Sequence, residues 1–364
     1  MRLRERLYSW MPKEDHNVAR LFFLVSGENP TLPYSEVKSI LEAEGFQYKL
    51  LEGLTQVLRV HADPSCVKHV QSRSAMARVC GIEIFDCKAD YERIIACVEG
   101  SDVASFIGEG ESFAVRIRRV RGSSPEIDTL ALERRIGEAI LRQAKNANVN
   151  LRAPEKTFFG ILVNGQFLFG LKMAEIRAGE FVERGTRKRV FFHSATMPAK
   201  LARCMVNLAQ PKTGDLVLDP FCGTGSFLVE GGLMGCRLVG LDVMRSMVEG
   251  SLRNLSLHGL EPVGMAVADA SHVPLAKASV DCVATDPPYG TSATTLGLDA
   301  RDVFEGFFSA IGDFLKKGRR ICLAAPKRIH VNEIGERSGF KHLESHFIYI
   351  HRSLTREIAV FELS

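Results

Sequence analysis

Several features are scarce or missing in this 364-residue chain, and each absence removes a class of function. The nine cysteines contain no Cys-x-x-Cys pair and form no cluster with histidine at zinc-ligand spacing, which argues against a zinc site. No apolar run reaches the roughly 18 residues that a membrane-spanning helix needs. The net charge is only +4, so a basic surface for nucleic acid would have to be local. We expect free thiols, a cytoplasmic protein, no metal and no membrane partner.

The chain is expected to form several folded domains, because its length exceeds that of one ordinary domain. Residues 1–17 are charged and are predicted to be an N-terminal extension. Residues 18–90 are predicted to form a small α/β domain built of βαβ pieces. Residues 91–176 form a second, locally basic block, and residues 177–189, rich in Arg, Glu and Gly, are predicted to be a linker. Residues 190–364 form the last domain.

The last domain alternates strand-like and helix-like segments five or more times, a pattern that predicts a mostly parallel sheet with helices on both faces. Its final two strand candidates, at 342–350 and 358–363, are joined by a short connection. A short connection makes a hairpin, so one terminal strand is predicted to be antiparallel.

A glycine-containing turn follows the first buried strand of this domain. Asp219 ends the strand, Gly223 and Gly225 form the turn, and a helix is predicted to begin near Gly225. Glycines allow the backbone to approach a ligand closely. Leu228 stands where a pyrophosphate-binding fingerprint would need a small residue, and no Lys-Ser/Thr pair follows the turn. The pattern therefore argues against a dinucleotide-dependent dehydrogenase and excludes a Walker-type ATP site.

Two further strands of the domain end in acidic residues. Asp242 follows the glycine turn by about 20 residues, where a carboxylate is placed to hold ribose hydroxyls. Asp269 ends the next strand. Each residue alone has an ordinary alternative, helix capping for Asp242 and a surface turn for Asp269. Their order on successive strand ends favours an adenosyl-type cofactor, because ligands of open α/β sheets bind beyond those ends.

The sequence Asp286-Pro287-Pro288-Tyr289 follows an apolar strand at 280–285. Two consecutive prolines fix φ and lack N–H groups, so the turn is stiff and its carbonyls are held in place. A carboxylate oxygen and such a carbonyl together accept both hydrogens of an exocyclic amino group, while Tyr289 is able to stack on a base. The turn therefore predicts methylation of a base amino group.

The second block carries a strand that alternates Arg with apolar residues, followed by an Arg-rich helix. Ser124 and Pro125 predict that this helix begins there, with Leu130 and Leu141 among the residues turned inward. Such charges are usually only a solvated face, but arginines on one strand and helix could follow a phosphate backbone. The arginines predicted to bind RNA are Arg116, Arg118, Arg119, Arg121, Arg134 and Arg135. Asn164-Gly165 predicts a β-hairpin.

Taken together, these motifs resemble a known family. Residues 18–364 are similar to the archaeal THUMP-containing tRNA methyltransferases, which modify the exocyclic N2 of guanosine at tRNA position 10. The similarity is carried by residues 21–34, 111–120, 191–197, 219–226, 286–290 and 351–356. Related guanosine methylases of other positions tend to carry Asn where this chain has Asp286, which favours the position-10 group.

The resemblance implies an architecture and a set of site residues. It implies a ferredoxin-like domain at 18–90, a THUMP RNA-binding domain at 91–176 and a Rossmann-like class I methyltransferase domain with a seven-stranded sheet at 190–364. Asp286, Pro287, Pro288 and Tyr289 would be catalytic. S-adenosylmethionine would be held by Asp219, Phe221, Gly223, Thr224, Gly225, Asp242, Val243, Asp269, Ala270, His193 and Thr196. Asp269 would bind the adenine amino group.

The expected partner is tRNA, and the expected state is a monomer, with or without a small activating subunit. The resemblance implies one or two methyl transfers to the same nitrogen. Alternatives are N2-guanosine methylation elsewhere in tRNA or rRNA, a DNA amino-methyltransferase, and an RNA-binding protein with a degenerate methylase fold. The intact Asp219, Asp242, Asp269 and Asp286 argue against the last of these.

Overall fold

The structure, a computed structural model, describes residues 18–144, 146–177, 179–185, 188–193, 196–289 and 299–364. The predicted N-terminal extension at 1–17 lies outside the described residues. So do Gly290, at the end of the predicted catalytic turn, and Ser194 and Ala195 in the segment at 191–197.

The described chain forms two compact units. The N-terminal unit comprises the described residues of Met1–Glu28, Phe46–Ser72 and Ala77–Ile176. The C-terminal unit comprises those of Asn29–Gly45, Arg73–Met76 and Arg177–Ser364. The helices are α1 (Leu32–Ala43), α2 (Cys66–Arg73), α3 (Tyr91–Gly100), α4 (Thr129–Gln143), α5 (Gly179–Glu183), α6 (Ala199–Leu208), α7 (Ser226–Gly232), α8 (Arg245–Leu257), α9 (Ala300–Ile311) and α10 (Val331–Arg337).

The strands belong to two sheets, one in each unit. Those of the N-terminal unit are β1 (Ala19–Val25), β2 (Tyr48–Leu50), β3 (Val57–Ala62), β4 (Ala77–Lys88), β5 (Ser112–Arg119), β6 (Asn148–Val149), β7 (Lys156–Val163) and β8 (Gln166–Glu175). Those of the C-terminal unit are β9 (Leu216–Asp219), β10 (Arg237–Asp242), β11 (Gly264–Val267), β12 (Cys282–Thr285), β13 (Arg320–Pro326), β14 (Phe340–His351) and β15 (Leu354–Leu363).

One continuous sheet runs through the N-terminal unit. Its strand order is β2-β3-β1-β4-β8-β7-β5-β6, so the strands of residues 18–90 and those of residues 91–176 are hydrogen bonded to each other. The predicted hairpin between β7 and β8 is confirmed. Asn164 and Gly165 both have positive φ, 51° and 71°, as a tight two-residue hairpin turn requires.

The predicted start of α4 was wrong. The helix begins at Thr129, because the Asp128 carboxylate accepts hydrogen bonds from the backbone N–H groups of Leu130 and Ala131. Ser124 has a φ of 53° and cannot act as an extended N-cap. Leu130 and Leu141 are exposed, not inward, because the buried stripe consists of Leu132, Ile136 and Ile140. Leu130 lies about 200° around the helix from Leu132.

The sheet of the C-terminal unit has seven strands in the order β11-β10-β9-β12-β13-β15-β14. The five neighbouring strands β11, β10, β9, β12 and β13 are parallel, and β15 is antiparallel to both of its neighbours, β13 and β14. The predicted mostly parallel sheet with a closing hairpin is confirmed. The carboxyl ends of β11, β10, β9 and β12 therefore lie side by side at one edge, where Asp219, Asp242, Asp269 and Asp286 were predicted to meet.

Apolar layers cover both faces of this sheet, as expected for parallel strands that are buried on both sides. Val217 and Leu218, neighbours on β9, belong to different buried clusters. The Val217 cluster includes Phe227 of α7, and the Leu218 cluster includes Phe307 of α9. The two layers fix the strands, and with them the sheet edge that carries the acidic residues.

Helix α1 belongs to the C-terminal unit although it lies early in the sequence. Its Glu36 is fully buried, and its carboxylate accepts hydrogen bonds from the Ser74 hydroxyl, the Ala75 and Met76 backbone N–H groups and the Asn207 side-chain amide. One buried carboxylate thus joins α1, the segment at 73–76 and α6. Deletion of residues 1–176 would therefore remove part of the C-terminal unit, namely α1 and the segment at 73–76.

We predict that Glu36→Ala lowers the free energy of unfolding by roughly 3 kcal/mol, because buried donors lose their acceptor. The control is Glu42→Ala on the same helix, whose exposed carboxylate contacts Gln210 and Arg320. Loss of an exposed pair should cost less than about 1 kcal/mol. Urea unfolding of the full chain measures both, and equal effects of the two variants would contradict the structural role of Glu36.

Candidate active site

A cavity of about 610 Å³ opens at the edge of the C-terminal sheet where β9, β10 and β12 end. It is lined by residues from all the motifs predicted in this domain. The lining residues are His193, Thr196, Met197, Phe221, Cys222, Gly223, Thr224, Ser226, Phe227, Asp242, Val243, Met244, Met247, Asp269, Ala270, Ser271, Asp286, Pro287, Pro288, Tyr289, Asp302, Val303, Gly306, Leu354 and Arg356.

The turn after β9 forms one wall of the cavity. Gly223 and Gly225 have φ values of 49° and 78°, in the left-handed region that favours glycine. A Cβ at Gly225 would also lie 2.4 Å from Ser251 Oγ of α8. Leu228, in the position of the missing third glycine, is fully buried, and its Cδ1 would lie 2.6 Å from a Cβ at Gly240. The glycine that permits close helix–strand packing is therefore on β10.

Asp242, the last residue of β10, ties the glycine turn to the start of α8. Its Oδ2 accepts the Gly223 N–H at 3.0 Å, and its Oδ1 accepts the Met244 N–H at 2.9 Å. Burial raises the pKa of this carboxyl, and the two backbone hydrogen bonds oppose that rise. A carboxylate has about four acceptor positions, so Asp242 keeps capacity for hydroxyl groups in the cavity.

Asp269 follows β11, the strand next to β10, and also lines the cavity. Its Oδ1 accepts hydrogen bonds from the Ser271 backbone N–H and hydroxyl group, both at 2.8 Å. These bonds hold the pKa of the Asp269 carboxyl below its usual value. The carboxylate therefore stays ionised at neutral pH and is oriented by its own turn.

Asp219 lies below the cavity and does not line it. Its fully buried carboxyl accepts the Thr285 hydroxyl at 2.7 Å and the Phe221 N–H at 3.2 Å. Burial raises the pKa of Asp219 to about 8, so the carboxyl is mainly neutral at pH 7. Because Thr285 directly precedes Asp286, this hydrogen bond fixes the start of the Asp-Pro-Pro-Tyr turn to the end of β9.

A basic side chain from the C-terminal hairpin faces the Asp-Pro-Pro-Tyr turn. The Nε of Arg356 on β15 donates a hydrogen bond to the Tyr289 hydroxyl at 2.9 Å. The Nη2 of the same guanidinium group lies 3.7 Å from Asp286 Oδ2. Within the described part of the chain, Asp286 Oδ1 is buried and has no hydrogen-bond partner. The turn thus presents one carboxylate oxygen held by a cation and one available acceptor.

The electrostatics of this turn follow from burial and from Arg356. Burial raises the pKa of Asp286 to about 6, and the positive charge of Arg356 opposes a larger rise. Burial and the nearby Asp286 raise the pKa of Tyr289 to about 12, so its hydroxyl stays protonated. Burial also raises the pKa of the Cys222 thiol, which supports the interpretation of that residue as packing, not as a nucleophile.

Part of the predicted linker packs against the glycine turn. Arg189 donates hydrogen bonds to the hydroxyl groups of Thr224 and Ser226, at 3.1 and 2.7 Å. Asn254 of α8 binds the backbone of Phe191 and donates to the Thr224 carbonyl at 2.9 Å. These contacts hold the residues before His193 at the cavity wall.

The structure brings the predicted catalytic residues, Asp286 to Tyr289, into the same cavity as all the predicted cofactor residues except Asp219 and Gly225. Their binding roles stay predictions. Sequence reasoning missed Arg189, Asn254 and the contact of Arg356 with the catalytic turn. Arg356 did lie within the segment at 351–356 that carries the family resemblance, but nothing in that segment indicated its contact with Asp286.

The arginines predicted to bind RNA lie in the N-terminal unit and differ in their contacts. Arg116 donates to the Leu151 carbonyl and Arg119 to the Ile127 carbonyl, so both are committed to their own unit. Arg135 forms an exposed pair with Glu138. The remaining members of the set, Arg118, Arg121 and Arg134, are exposed and have no ion pair among the described residues.

The described residues contain neither a metal-binding cluster nor a membrane-spanning helix. Among the described residues, no cluster of three or more His, Cys, Asp or Glu side chains is arranged to hold a metal ion. In the same part of the chain, no helix has both the length and the apolar composition that crossing a bilayer demands.

Comparisons with known proteins identify the family of two segments of the chain and the fold of its C-terminal domain. Residues 186–356 match the family described as RMKL-like, methyltransferase domain, and residues 88–170 match the THUMP domain. The fold is similar to the crystal structure of TrmN from Thermus thermophilus, with a TM-score of 0.51 and 20% identity over 95% of this chain and 100% of that one. The C-terminal domain therefore has a class I methyltransferase fold.

Full-length relatives are more similar in sequence. The tRNA (guanine(10)-N2)-dimethyltransferase of Methanothermobacter thermautotrophicus is 37% identical, covering 94% of this chain and 99% of the relative. The enzyme of the same name from Methanocaldococcus jannaschii is 31% identical, covering 93% and 99%. The chain therefore belongs to the tRNA (guanine(10)-N2)-dimethyltransferase family.

Proposed function

We propose that this protein transfers methyl groups to the exocyclic N2 of guanosine at position 10 of tRNA. The observation that carries the proposal is the Asp-Pro-Pro-Tyr turn, which lines one cavity together with Asp242, Asp269 and the glycine turn. An amine-binding turn beside an adenosyl-type site has no purpose in hydride or phosphoryl transfer. The family of the chain supplies the base, the position and the RNA class.

The cavity fits S-adenosylmethionine, which would supply the methyl group when bound. Its volume of about 610 Å³ lies in the usual range for small-molecule sites. Asp242 would hold the ribose hydroxyls and Asp269 the adenine amino group. Gly223 and Thr224, with Phe221, Val243, Ala270, His193 and Thr196, would form the remaining walls. Gly225 and Asp219 would act indirectly, by shaping the turn and by fixing Thr285.

The catalytic turn would orient the target amine. The guanine leaves its helical stack at a cost of a few kcal/mol and stacks on Tyr289. Asp286 and the Pro287 carbonyl accept the two amino hydrogens, which directs the nitrogen lone pair at the methyl group. Because that lone pair is delocalised into the ring, the amine is a weak nucleophile, and correct placement supplies much of the acceleration.

Asp286 would also accept the proton that the nitrogen loses after methylation. Its pKa of about 6 suits this role, since the group is ionised at pH 7 and still basic enough to take a proton. Arg356 would keep the carboxylate ionised and hold the Tyr289 ring through its hydroxyl. Pro288 would stiffen the turn between these two residues.

The remaining parts of the proposal concern the substrate and the state of the protein. Three exposed arginines of the THUMP-containing unit would contact tRNA phosphates; these are Arg118, Arg121 and Arg134. The other three, Arg116, Arg119 and Arg135, would contribute less to tRNA binding, because they already have partners within their own unit. The relatives are named dimethyltransferases, which supports a second methyl transfer to the same nitrogen. We propose that the protein is cytoplasmic and acts as a monomer. The alternative to test is a complex with a small activating subunit.

The proposed reaction is tested with unmodified tRNA transcript and methyl-labelled S-adenosylmethionine. We expect the label in N2-methylguanosine or N2,N2-dimethylguanosine at position 10, identified by nucleoside analysis and primer extension. A label at another guanosine of tRNA or rRNA would keep the chemistry and reject the position. Transfer to DNA alone would replace the proposal with a DNA amino-methyltransferase.

We predict that Asp286→Ala abolishes methyl transfer and leaves S-adenosylmethionine binding within about twofold of the wild type. The reason is that Asp286 contacts the amine, whereas the cofactor is held by the other strand ends. Single-turnover kinetics and calorimetric titration with the cofactor measure the two quantities. A loss of cofactor affinity as large as the loss of the methyl-transfer rate would contradict the role of Asp286 in binding the amine.

We predict that Arg356→Gln shifts the acidic limb of the pH–rate profile upward by about one pH unit. The active form needs an ionised Asp286, so the wild-type rate should fall as the pH drops through about 6. Without the cation the carboxyl is protonated at higher pH, and the rate falls earlier. Arg356→Lys, which keeps the charge, should show much less of the shift and lie close to the wild-type profile. An unchanged profile in Arg356→Gln would show that the pair does not control the Asp286 pKa.

A further inference from the structure

A second, basic cavity adjoins the catalytic one in the C-terminal unit. Its volume is about 350 Å³, and Leu354 lines both cavities. We call it the basic groove. It is lined by Pro326, Lys327, Arg328, His330, Arg352, Ser353, Leu354 and Thr355. No carboxylate is among these lining residues, whereas three of them are Lys or Arg.

The groove lies at the same sheet edge as the catalytic turn. Pro326, the last residue of β13, pairs with Arg356 of β15, and Arg356 donates to Tyr289. Lys327 and Arg328 follow β13 directly, and β13 is parallel to β12, which leads into Asp286. The groove is therefore the next ligand position along the edge, beyond the amine-binding turn.

The cations of the groove have no acidic partner. Lys327, Arg328 and Arg352 are exposed and form no ion pair within the described part of the chain. Elsewhere in the same unit, Arg203 pairs with Glu230 and Arg319 with Asp281. Like charges brought together without a counter-charge repel one another, and an anion relieves that repulsion. Guanidinium groups match the geometry of phosphate, to which they can bind through two parallel hydrogen bonds.

Aromatic and apolar side chains of the hairpin flank the groove. The Lys327 ammonium lies 5.1 Å from the centre of the Phe347 ring, a cation–π distance that holds the lysine over β14. The backbone of β14 is held at the same residue, since the Asn29 side-chain amide donates to the Phe347 carbonyl at 2.9 Å. Tyr349, which pairs with the groove residue Thr355 across the hairpin, is 70% exposed and leaves a ring face for an unstacked base.

We propose that the basic groove binds a backbone phosphate of the substrate tRNA next to the guanosine that enters the catalytic cavity. The proposal rests on the proposed function for its substrate class. A base that leaves its stack stays attached to the backbone on either side of it. The enzyme therefore has to hold that flanking backbone in place. A phosphate site that shares a wall with the catalytic cavity supplies that hold within the catalytic unit itself.

The first test measures binding and does not require catalysis. The variants are Lys327→Gln, Arg328→Gln, Arg352→Gln and the triple variant, with unmodified tRNA transcript as the probe. Each single variant should weaken tRNA binding roughly three- to tenfold and lower the slope of log K against log salt by about one. The triple variant should keep wild-type affinity for S-adenosylmethionine.

Matched controls separate the groove from general surface charge. Lys341→Gln lies on the same strand as Phe347 but at the opposite end of the hairpin, and Arg253→Gln lies on α8; both side chains are exposed. These controls should change tRNA affinity less than twofold. A triple variant that binds tRNA with the affinity and salt slope of the controls would overturn the proposal.

Phosphate-ethylation interference locates the contact on the RNA. With wild-type protein, ethylation of one or two phosphates beside the target guanosine should block binding, and this interference should vanish in the triple variant. An identical interference pattern in both proteins would reject the site. If wild-type protein binds tRNA through the groove but methylates no RNA, the phosphate site stands and the proposed function falls; if methylation and binding survive in the triple variant, only the groove falls.

Discussion

The site depends on one geometric constraint, that the carboxyl ends of adjacent parallel strands meet at a single edge. Strands β11, β10, β9 and β12 lie side by side, and an aspartate ends or follows each of them. Residues more than 60 positions apart in sequence thereby face one cavity. The apolar layers on both faces of the sheet fix the strands, so the chemistry needs only short turns at their ends. The same edge continues to β13, where the basic groove begins.

Bringing several carboxylates together at one edge is costly unless each is stabilised, because like charges repel and burial disfavours the charged form. The structure solves this differently for each residue. Asp242 and Asp269 accept backbone N–H groups, Asp219 is mainly neutral at pH 7, and Asp286 faces Arg356. Among the carboxylates described at this edge, Asp286 lines the cavity with a buried oxygen that has no hydrogen-bond partner, and its pKa is raised to about 6. This difference in environment, not residue type, separates Asp286, the proposed catalytic carboxylate, from the others.

The sequence predicted what depends on neighbouring residues and missed what depends on distant ones. The glycine turn after β9, the strand ends and the Asn164-Gly165 hairpin follow from local conformational preferences, and the structure contains all of them. The predicted start of α4 was wrong because Asp128, not Ser124, caps the helix. Arg356 and Glu36 carried no local signal, since each meets partners dozens of residues away. The ligand roles of the cavity residues stay predictions.

We propose that the cavity accepts a guanine amino group between the Asp286 carboxylate and the Pro287 carbonyl. The most direct measurement compares tRNA carrying guanosine at position 10 with the same tRNA carrying inosine, which lacks only that amino group. We expect the inosine tRNA to bind within about threefold of the guanosine tRNA, because the backbone contacts remain, and to accept no methyl group. Methyl transfer to the inosine tRNA at an undiminished rate would contradict the account.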